Sequence, residues 1–480
     1  MKNTVYFASA MIAERLVSFL LLPLLTKIIS PTEYAIWSQS IIISGIMIPV
    51  VLLGFQTAVV KFFPMWEGQG ELKNSVLLFM LLVILVFITL IAGIALLFDQ
   101  SMATMIFGKP KYDVYIPLLV GMLFSEALFE FLVGILRATN RIRQVSLYLF
   151  LKGVWRLGIL VLVLFGMSDG FYYAFWVFVL FQLAVTFLIY VKEVNFGKIV
   201  KSGIGTGRSY WKEILRFSLP LLPLAALTAT NNFIDRIFLT QLHGLDMVAT
   251  YSASFSLAAI VAFFYSVLGF TLFPVLSKYW ANNDMTGVAS LLRNVLIVYQ
   301  SLLIPFLVFM VVIGNDVLIQ LTNENYAVTP LLLFLLTCNI GLFGFYQIAF
   351  YLLLLQKGSM RAPVYMAAAV GLNIIFNTLL VPEYGMMGAA FAGFVSNLFL
   401  AGVFLYMSHQ ILRWSFPWKS TIRISIRALM MGAIIWFGVQ WFGIANPILL
   451  FTILAVAGFV YGLFDYFDKQ TSFFNVIRNY

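Results

Sequence analysis

The sequence predicts an all-α protein that crosses a membrane many times, and three observations lead to this fold class. Hydrophobic residues make up 62% of the 480 residues, charged residues make up only 10%, and the mean hydropathy is +1.00. About a quarter of the residues of a soluble protein are charged. The apolar residues form stretches long enough to span a bilayer as helices, and short motifs recur at a nearly constant spacing. A soluble globular fold is therefore excluded.

About fourteen apolar stretches reach the roughly 20 residues that a helix needs to cross the hydrocarbon core. They lie near residues 4–28, 35–60, 75–98, 114–136, 144–165, 170–191, 213–241, 248–277, 289–313, 326–354, 362–381, 387–411, 422–443 and 447–467. The longest connection, at about 192–212, is too short for a soluble domain. Glu14 and Arg15 interrupt the first stretch, which indicates a retained first helix rather than a cleaved signal peptide.

Basic residues are concentrated in every second connection. The richest of these connections contains Lys192, Lys198, Lys201, Arg208, Lys212 and Arg216. The opposite connections hold only Lys27, Lys109 and Lys111, beside several acids. By the positive-inside rule, both termini are predicted to be cytoplasmic. The net charge of +10 therefore reflects topology, and no nucleic-acid partner is expected, because the basic residues are dispersed over short loops.

A single cysteine and two distant histidines limit the chemistry that the chain can support. Cys338 has no partner for an intramolecular disulfide, and no metal site is predicted.

The chain contains an internal repeat. The pair Leu25-Thr26 recurs as Leu239-Thr240 at an offset of 214, Leu53-Gly54-Phe55 recurs as Leu268-Gly269-Phe270 at 215, and Gly153 matches Gly371 at 218. The repeat covers six helices, an even number, so both copies have the same orientation. This predicts two parallel six-helix lobes related by an axis along the membrane normal. The N-lobe covers residues 1–200 and the C-lobe covers 201–414, while 415–480 adds helices 13 and 14 and a cytoplasmic tail.

Three segments resemble a known family. They are residues 355–363 with 372–393 (LQKGSMRAP and LNIIFNTLLVPEYGMMGAAFAG), residues 25–37 (LTKIISPTEYAIW) and residues 235–239 (DRIFL). Together they resemble the polysaccharide transporters of the multidrug/oligosaccharidyl-lipid/polysaccharide exporter superfamily. The nearest likeness is to the Wzx-type flippases of O-antigen and exopolysaccharide repeat units. The resemblance extends over essentially the whole chain and agrees with the fourteen-helix layout.

The resemblance implies a function as well as a fold. Such flippases move an undecaprenyl-diphosphate-linked oligosaccharide from the cytoplasmic to the outer leaflet by alternating access. It implies a location in the bacterial cytoplasmic (inner) membrane, a part in lipopolysaccharide or exopolysaccharide synthesis, and the polysaccharide polymerase and chain-length machinery as partners. No cofactor is implied, although transport coupled to H⁺ or Na⁺ is an open alternative.

Two arginines are candidates for binding the diphosphate headgroup, because the guanidinium group binds phosphate oxygens in a bidentate manner. Arg15 lies in helix 1 and Arg236 in helix 7, which are equivalent helices of the two lobes. Asp235 and Arg236 are adjacent and point about 100° apart on a helix, so each is expected to face another group. Glu14 and Asp235 have no basic residue at i+4. Each is a candidate coupling-ion site, with structural pairing, or orientation of Arg236 by Asp235, as the alternative.

Four charged residues share matching faces of the hairpin formed by helices 4 and 5. Glu126 and Glu130 are four residues apart on helix 4, as are Lys152 and Arg156 on helix 5. Their depths predict the pairs Glu130–Lys152 and Glu126–Arg156. These pairs form either a structural ladder of ion pairs or a cation or headgroup site in the N-lobe. The second lobe has Gly344, Ile348, Val370 and Ile374 at the corresponding positions.

Two other functions are weighed against a flippase. A cation-coupled multidrug exporter of the same superfamily is disfavoured by the two additional helices and by arginines at membrane depth, which would repel cationic drugs. A membrane polysaccharide polymerase or glycosyltransferase would need a sizeable extramembrane segment with catalytic acids or bases. The outer loops contain only scattered acids, so no enzymatic activity is predicted.

Overall fold

The computed structural model describes residues 17, 19–66, 68–166, 170–194, 196–203, 205–356, 361–442, 452 and 455–462. All regular elements in these ranges are helical, as the composition predicted. The chain divides into two compact units, Met1–Ala249 and Thr250–Tyr480.

The helices follow one another with short connections. They are α1 Phe19–Ile28, α2 Pro31–Val51, α3 Phe55–Met65, α4 Gly70–Leu97, α5 Asp99–Phe107, α6 Ile116–Ala138, α7 Ile142–Gly166, α8 Gly170–Glu193, α9 Phe196–Ser202, α10 Gly205–Ser218, α11 Leu222–His243, α12 Leu245–Ala258, α13 Ile260–Ala281, α14 Met285–Val312, α15 Gly314–Leu321, α16 Pro330–Leu355, α17 Ala362–Tyr384, α18 Met386–Leu412 and α19 Trp418–Phe442. Short 3₁₀ turns occupy Pro110–Tyr115, Leu219–Leu221 and Glu324–Tyr326.

The apolar stretches of the sequence coincide with these helices. Eleven segments among the described residues are long and apolar enough to cross a membrane. The second, seventh and eighth predicted stretches are each divided between two consecutive helices, namely α2 and α3, α10 and α11, and α12 and α13. The first and fourteenth stretches are described only in part. A count of about fourteen spans is therefore compatible with the structure, and the divisions were not foreseen.

The division between α2 and α3 occurs at Gly54, where the backbone conformation favours glycine. Gly54 has φ of +70°, in the left-handed region that favours glycine. A Cβ atom at Gly54 would also lie 2.8 Å from the carbonyl oxygen of Ser218. The repeated glycine, Gly269, lies instead inside the continuous helix α13, where a Cβ atom would lie 2.5 Å from the hydroxyl oxygen of Tyr351. The same motif therefore serves a turn in one copy and close packing in the other.

We expect Gly54→Ala to destabilise the protein more than Gly68→Ala. Both residues have positive φ, so both substitutions incur roughly 1–2 kcal/mol of left-handed backbone strain. Only Gly54 faces another backbone atom, since nothing lies within 4 Å of a Cβ atom at Gly68. The thermal unfolding midpoint of each purified variant in detergent measures the difference. Equal midpoints would show that the close approach to Ser218 does not add to the destabilisation caused by Gly54→Ala.

Residues at the repeat spacing make the same hydrogen bonds. The hydroxyl of Thr26 donates to the carbonyl of Leu22 at 2.8 Å, and the hydroxyl of Thr240 donates to the carbonyl of Arg236 at 2.7 Å. Thr32 and Asp246, which are themselves separated by the repeat offset of 214, share a hydrogen bond of 2.8 Å. The bond between Thr32 and Asp246 joins α2 to α12 within the first unit.

The first compact unit extends past residue 200 because α11 packs against α2 and α5. The side-chain amide of Gln39 donates to the hydroxyl of Thr240 at 2.6 Å, and that of Gln241 donates to the carbonyls of Thr104 and Met105, both at 2.7 Å. Gly108 lies so close that a Cβ atom there would be 3.0 Å from the carbonyl oxygen of Thr240. The lobe boundary at residues 200/201 follows the repeat and stays a prediction, while these contacts place α11 in the first unit.

The second unit uses side-chain amides to join its helices. The amide of Asn397 in α18 donates to the carbonyl of Asn339 in α16 at 3.2 Å and also to its side-chain oxygen. Within α17, the amide of Asn377 donates to the side-chain oxygen of Asn373 at 2.5 Å. The bond between Asn397 and Asn339 is interhelical, and such amide bonds stabilise helix contacts within a bilayer.

Candidate functional site

The charged residues of the α6–α7 hairpin form a buried cluster around one carboxylate. Glu126 Oε1 lies 2.8 Å from Arg156 Nη2, and Glu126 Oε2 lies 2.6 Å from Lys152 Nζ. The side chains of Glu126 and Lys152 are each 8% exposed and that of Arg156 is 13% exposed. The predicted pair Glu126–Arg156 is present, and Lys152 binds the same carboxylate. We call Glu126, Lys152 and Arg156 the hairpin triad.

The register of the hairpin explains why Glu126 has two partners. Counted along the chain from the turn between the two helices, Glu126 lies farther from the turn than Lys152 and nearer to it than Arg156. Glu126 is therefore halfway in depth between the two cations, about half a helical turn from each. Each of its two oxygens can then accept from one cation.

Glu130 lies one turn below Glu126 and has a neutral partner. The side-chain amide of Gln56 in α3 donates both to Glu130 Oε2 and to the carbonyl oxygen of Glu130, each at 3.1 Å. Gly134 permits this approach, because a Cβ atom there would lie 2.9 Å from Cγ of Gln56. The contact between Glu130 and Lys152 stays a prediction.

Aromatic rings and unsatisfied polar atoms surround the hairpin triad. Lys152 Nζ lies 4.6 Å from the ring centre of Phe129, and the guanidinium carbon of Arg156 lies 5.5 Å from that of Phe178. Gln182 of α8 lies beside Glu126 and is fully buried. Nε of Arg156 has no hydrogen-bond partner among the described residues. Within the triad, one carboxylate is thus paired with two cations.

The second candidate centre lies in α11. Asp235 and Arg236 are each 2% exposed. Their side chains do meet, because the flexible arginine folds back to place Nη1 3.6 Å from Asp235 Oδ1. This distance is too long for a hydrogen bond, and the charged groups also bond elsewhere. Arg236 Nη1 donates to the carbonyl of Asn232 at 3.3 Å, and Asp235 Oδ1 accepts from the backbone nitrogen of Arg236 at 2.9 Å.

The adjacent charges of α11 approach each other, and Arg236 also faces the carbonyl of Asn232. The two remaining predicted residues, Glu14 and Arg15, lie outside the described residues. The headgroup role of Arg236 and the ion-coupling role of Asp235 stay proposals.

Three glutamines, of which Gln39 and Gln182 are fully buried, belong to these centres and were missed by sequence reasoning. Gln39 joins α2 to α11, Gln56 joins α3 to Glu130, and Gln182 lies beside the hairpin triad. Each is an amide inside an otherwise apolar stretch, where a polar group is costly without a role. That signal was available, but uncharged amides were not given the weight of charged residues.

The second unit has apolar packing at the positions that correspond to the hairpin triad. A Cβ atom at Gly344 would overlap the hydroxyl of Tyr299, which donates to the carbonyl of Gly341 at 2.8 Å. Ile348 is buried. Among the described residues, no group of three or more His, Cys, Asp or Glu side chains could hold a metal ion.

Comparison with known families now decides the identity of the chain. The family described as "Polysaccharide biosynthesis protein" matches residues 1–280, which is more than half of the chain. The chain belongs to this family. One relative of this chain is the probable low-salt glycan biosynthesis flippase Agl15 of Haloferax volcanii. It is 24% identical over 253 residues, which cover 50% of this chain and 51% of that protein.

Two solved structures resemble this member of the polysaccharide biosynthesis family. One is the lipid II flippase MurJ in an inward closed conformation, which matches this chain with a TM-score of 0.76 at 15% identity. The match covers 97% of this chain and 99% of the MurJ chain. The other is an inward-facing multidrug resistance MATE family transporter of the MOP superfamily, with a TM-score of 0.64 at 15% identity. The match covers 83% of this chain and 98% of the transporter chain. The fold is thus that of the multidrug/oligosaccharidyl-lipid/polysaccharide exporter superfamily.

Proposed function

We propose that this protein is a flippase for a lipid-linked oligosaccharide, carried on undecaprenyl diphosphate and moved from the cytoplasmic to the outer leaflet of a bacterial inner membrane. The observation that carries the proposal is the hairpin triad, a buried centre with two cations and one carboxylate in a member of the polysaccharide biosynthesis family. The names of the MurJ and Agl15 relatives support a glycan substrate attached to lipid.

The chemistry of the headgroup explains why such centres are needed. A diphosphate loses strong hydration when it enters the membrane, and only buried cations with hydrogen-bond donors can replace that hydration. Arg156 retains an unsatisfied Nε–H, and Arg236 presents a second guanidinium in α11. Each arginine is paired with an acid, Glu126 or Asp235, so neither charge is uncompensated when no substrate is bound.

The same arrangement provides a route for ion coupling. A diphosphate must compete with Glu126 for Arg156 and with Asp235 for Arg236. Protonation of either carboxylate, or Na⁺ binding to it, weakens the internal pair and favours binding of the substrate. We place Glu14 and Arg15 in the same scheme, as an acid and a cation of helix 1.

A polysaccharide polymerase with its chain-length machinery would use the translocated repeat unit.

The proposed function is tested in proteoliposomes. A fluorescent undecaprenyl-diphosphate oligosaccharide is placed in both leaflets, and a membrane-impermeant reductant destroys the label that is exposed outside. With an active flippase we expect almost complete loss of fluorescence, whereas protein-free vesicles should retain about half. Labelled phosphatidylcholine serves as the substrate control and should remain half protected. Equal loss with both lipids would indicate unspecific scrambling and would overturn the proposal.

A multidrug exporter is the second candidate function, because the MATE transporter shares the fold. An organic cation would have to approach Glu126 past Lys152 and Arg156, which repel it. We therefore expect no ethidium efflux from vesicles that carry out oligosaccharide transfer. Efflux driven by an ion gradient, without oligosaccharide transfer, would favour the exporter.

A further inference from the structure

A groove with a volume of 980 Å³ lies between α4 and α10, in the first unit and apart from the two charged centres. Its apolar side is a stripe of α4 and its polar side comes from α10. The lining residues are Phe79, Leu82, Val83, Val86, Phe87, Arg208, Trp211 and Lys212. Nothing in the proposed transport mechanism uses this groove.

The apolar side of the groove has the dimensions of a lipid chain. From Phe79 to Phe87 the helix advances eight residues, or about 12 Å. One leaflet of the hydrocarbon core is about 15 Å thick. Val86 is 55% exposed within the structure. This face of α4 is therefore free to pack along an acyl chain over most of one leaflet.

The polar side of the groove is an amphipathic helix at the end of the chain's most basic connection. Ile214 of α10 is buried in the core of the first unit, while Arg208 and Lys212 are exposed. Trp211 lies between them, half-buried and packed edge-on against Phe79 with ring centres 4.5 Å apart. Tryptophan of this kind is typical of the boundary between hydrocarbon and headgroups.

The positive charges of the two basic residues in the groove are not balanced by a carboxylate among the described residues. Arg208 and Lys212 are four residues apart on one face of α10, where like charges repel. Arg208 is the fourth residue of α10, close to the helix N-terminus, which favours an anion and not a cation. Neither residue has an ion-pair partner among the described residues. A phosphate between them would relieve both the repulsion and the unfavourable helix-dipole interaction.

We propose that this groove binds an anionic phospholipid of the leaflet that adjoins α10. Arg208 and Lys212 hold its phosphate, Trp211 lies at the glycerol level, and the stripe of α4 receives an acyl chain. By the positive-inside rule this is the cytoplasmic leaflet. The inference goes beyond the proposed function, since it assigns a site for a bilayer lipid rather than for the transported substrate.

Quenching of tryptophan fluorescence by brominated lipids tests the site. The protein is reconstituted in phosphatidylcholine with increasing brominated phosphatidylglycerol, and the quenching of Trp211 is obtained by subtracting the signal of Trp211→Phe. We expect brominated phosphatidylglycerol to quench Trp211 at a mole fraction about 30-fold lower than brominated phosphatidylcholine does, given roughly 1 kcal/mol for each of the two basic residues at a membrane surface. Equal quenching by the two lipids would overturn the proposal.

A charge-matched pair of variants separates the groove from the general attraction of a basic surface. Arg208→Ala/Lys212→Ala should abolish the preference for phosphatidylglycerol. Lys201→Ala/Arg216→Ala removes the same charge at exposed positions outside the groove and should retain the preference. Loss in both variants would contradict a specific site. Displacement of the brominated lipid by far smaller amounts of undecaprenyl phosphate would assign the groove to the polyprenyl chain and refute the phospholipid. Size-exclusion chromatography confirms that each variant is folded.

Discussion

Glu126→Gln is expected to destabilise the protein by about 3–5 kcal/mol, because it removes the carboxylate that pairs with both Lys152 and Arg156 inside the protein. The variant should reach the membrane in much lower amount, and its thermal midpoint should fall. The measurement is the amount of folded, monodisperse protein together with its unfolding midpoint in detergent. Glu71→Gln, which removes an exposed acid in the first turn of α4, should have no comparable effect.

A neutral triple variant distinguishes a structural cluster from a substrate site. Glu126→Gln/Lys152→Met/Arg156→Leu removes all three charges of the hairpin triad, and replacing a buried ionic cluster by apolar residues is often neutral or stabilising. We therefore expect the triple variant to recover the stability that Glu126→Gln loses. If the triad binds the diphosphate, the recovered protein should still fail to transfer the oligosaccharide. Full transfer by the stable triple variant would reduce the triad to a structural role.

Arg236→Ala is expected to lower oligosaccharide transfer at least tenfold per molecule of inserted protein. It removes a guanidinium that is 2% exposed in α11 and leaves Asp235 without that partner. Arg236→Lys should retain part of the activity, since lysine keeps the charge but loses the bidentate geometry. The measurement is the initial rate of transfer in proteoliposomes, divided by the amount of reconstituted protein.

Two further variants separate the function of Arg236 from its contribution to folding. Asp235→Asn/Arg236→Ala removes both charges, so it should restore the protein level without restoring transfer. Arg293→Ala removes an exposed arginine of α14 and should leave both quantities unchanged. A normal rate per molecule in Arg236→Ala would refute the headgroup role. A loss of rate that only parallels the loss of protein would show that the pair is structural.

Local features of the sequence were sufficient to predict the fold class and the positions of the apolar helical stretches, although not their division into shorter helices. The length of an apolar stretch decides whether a segment can cross a bilayer, because unpaired backbone groups are costly in hydrocarbon. The pair Glu126–Arg156 was also predictable, since a short hairpin couples the depths of its two helices.

Only the tertiary structure decided which side chains share a partner. That Glu126 pairs with Lys152 as well as with Arg156 depends on an offset of about half a helical turn, which residue spacing does not resolve. Long side chains add further freedom, as Arg236 shows by folding back toward its neighbour Asp235. The groove beside Trp211 likewise required α10 to pack against α4. The contacts of the groove join segments more than a hundred residues apart, and their geometry depends on how whole helices pack.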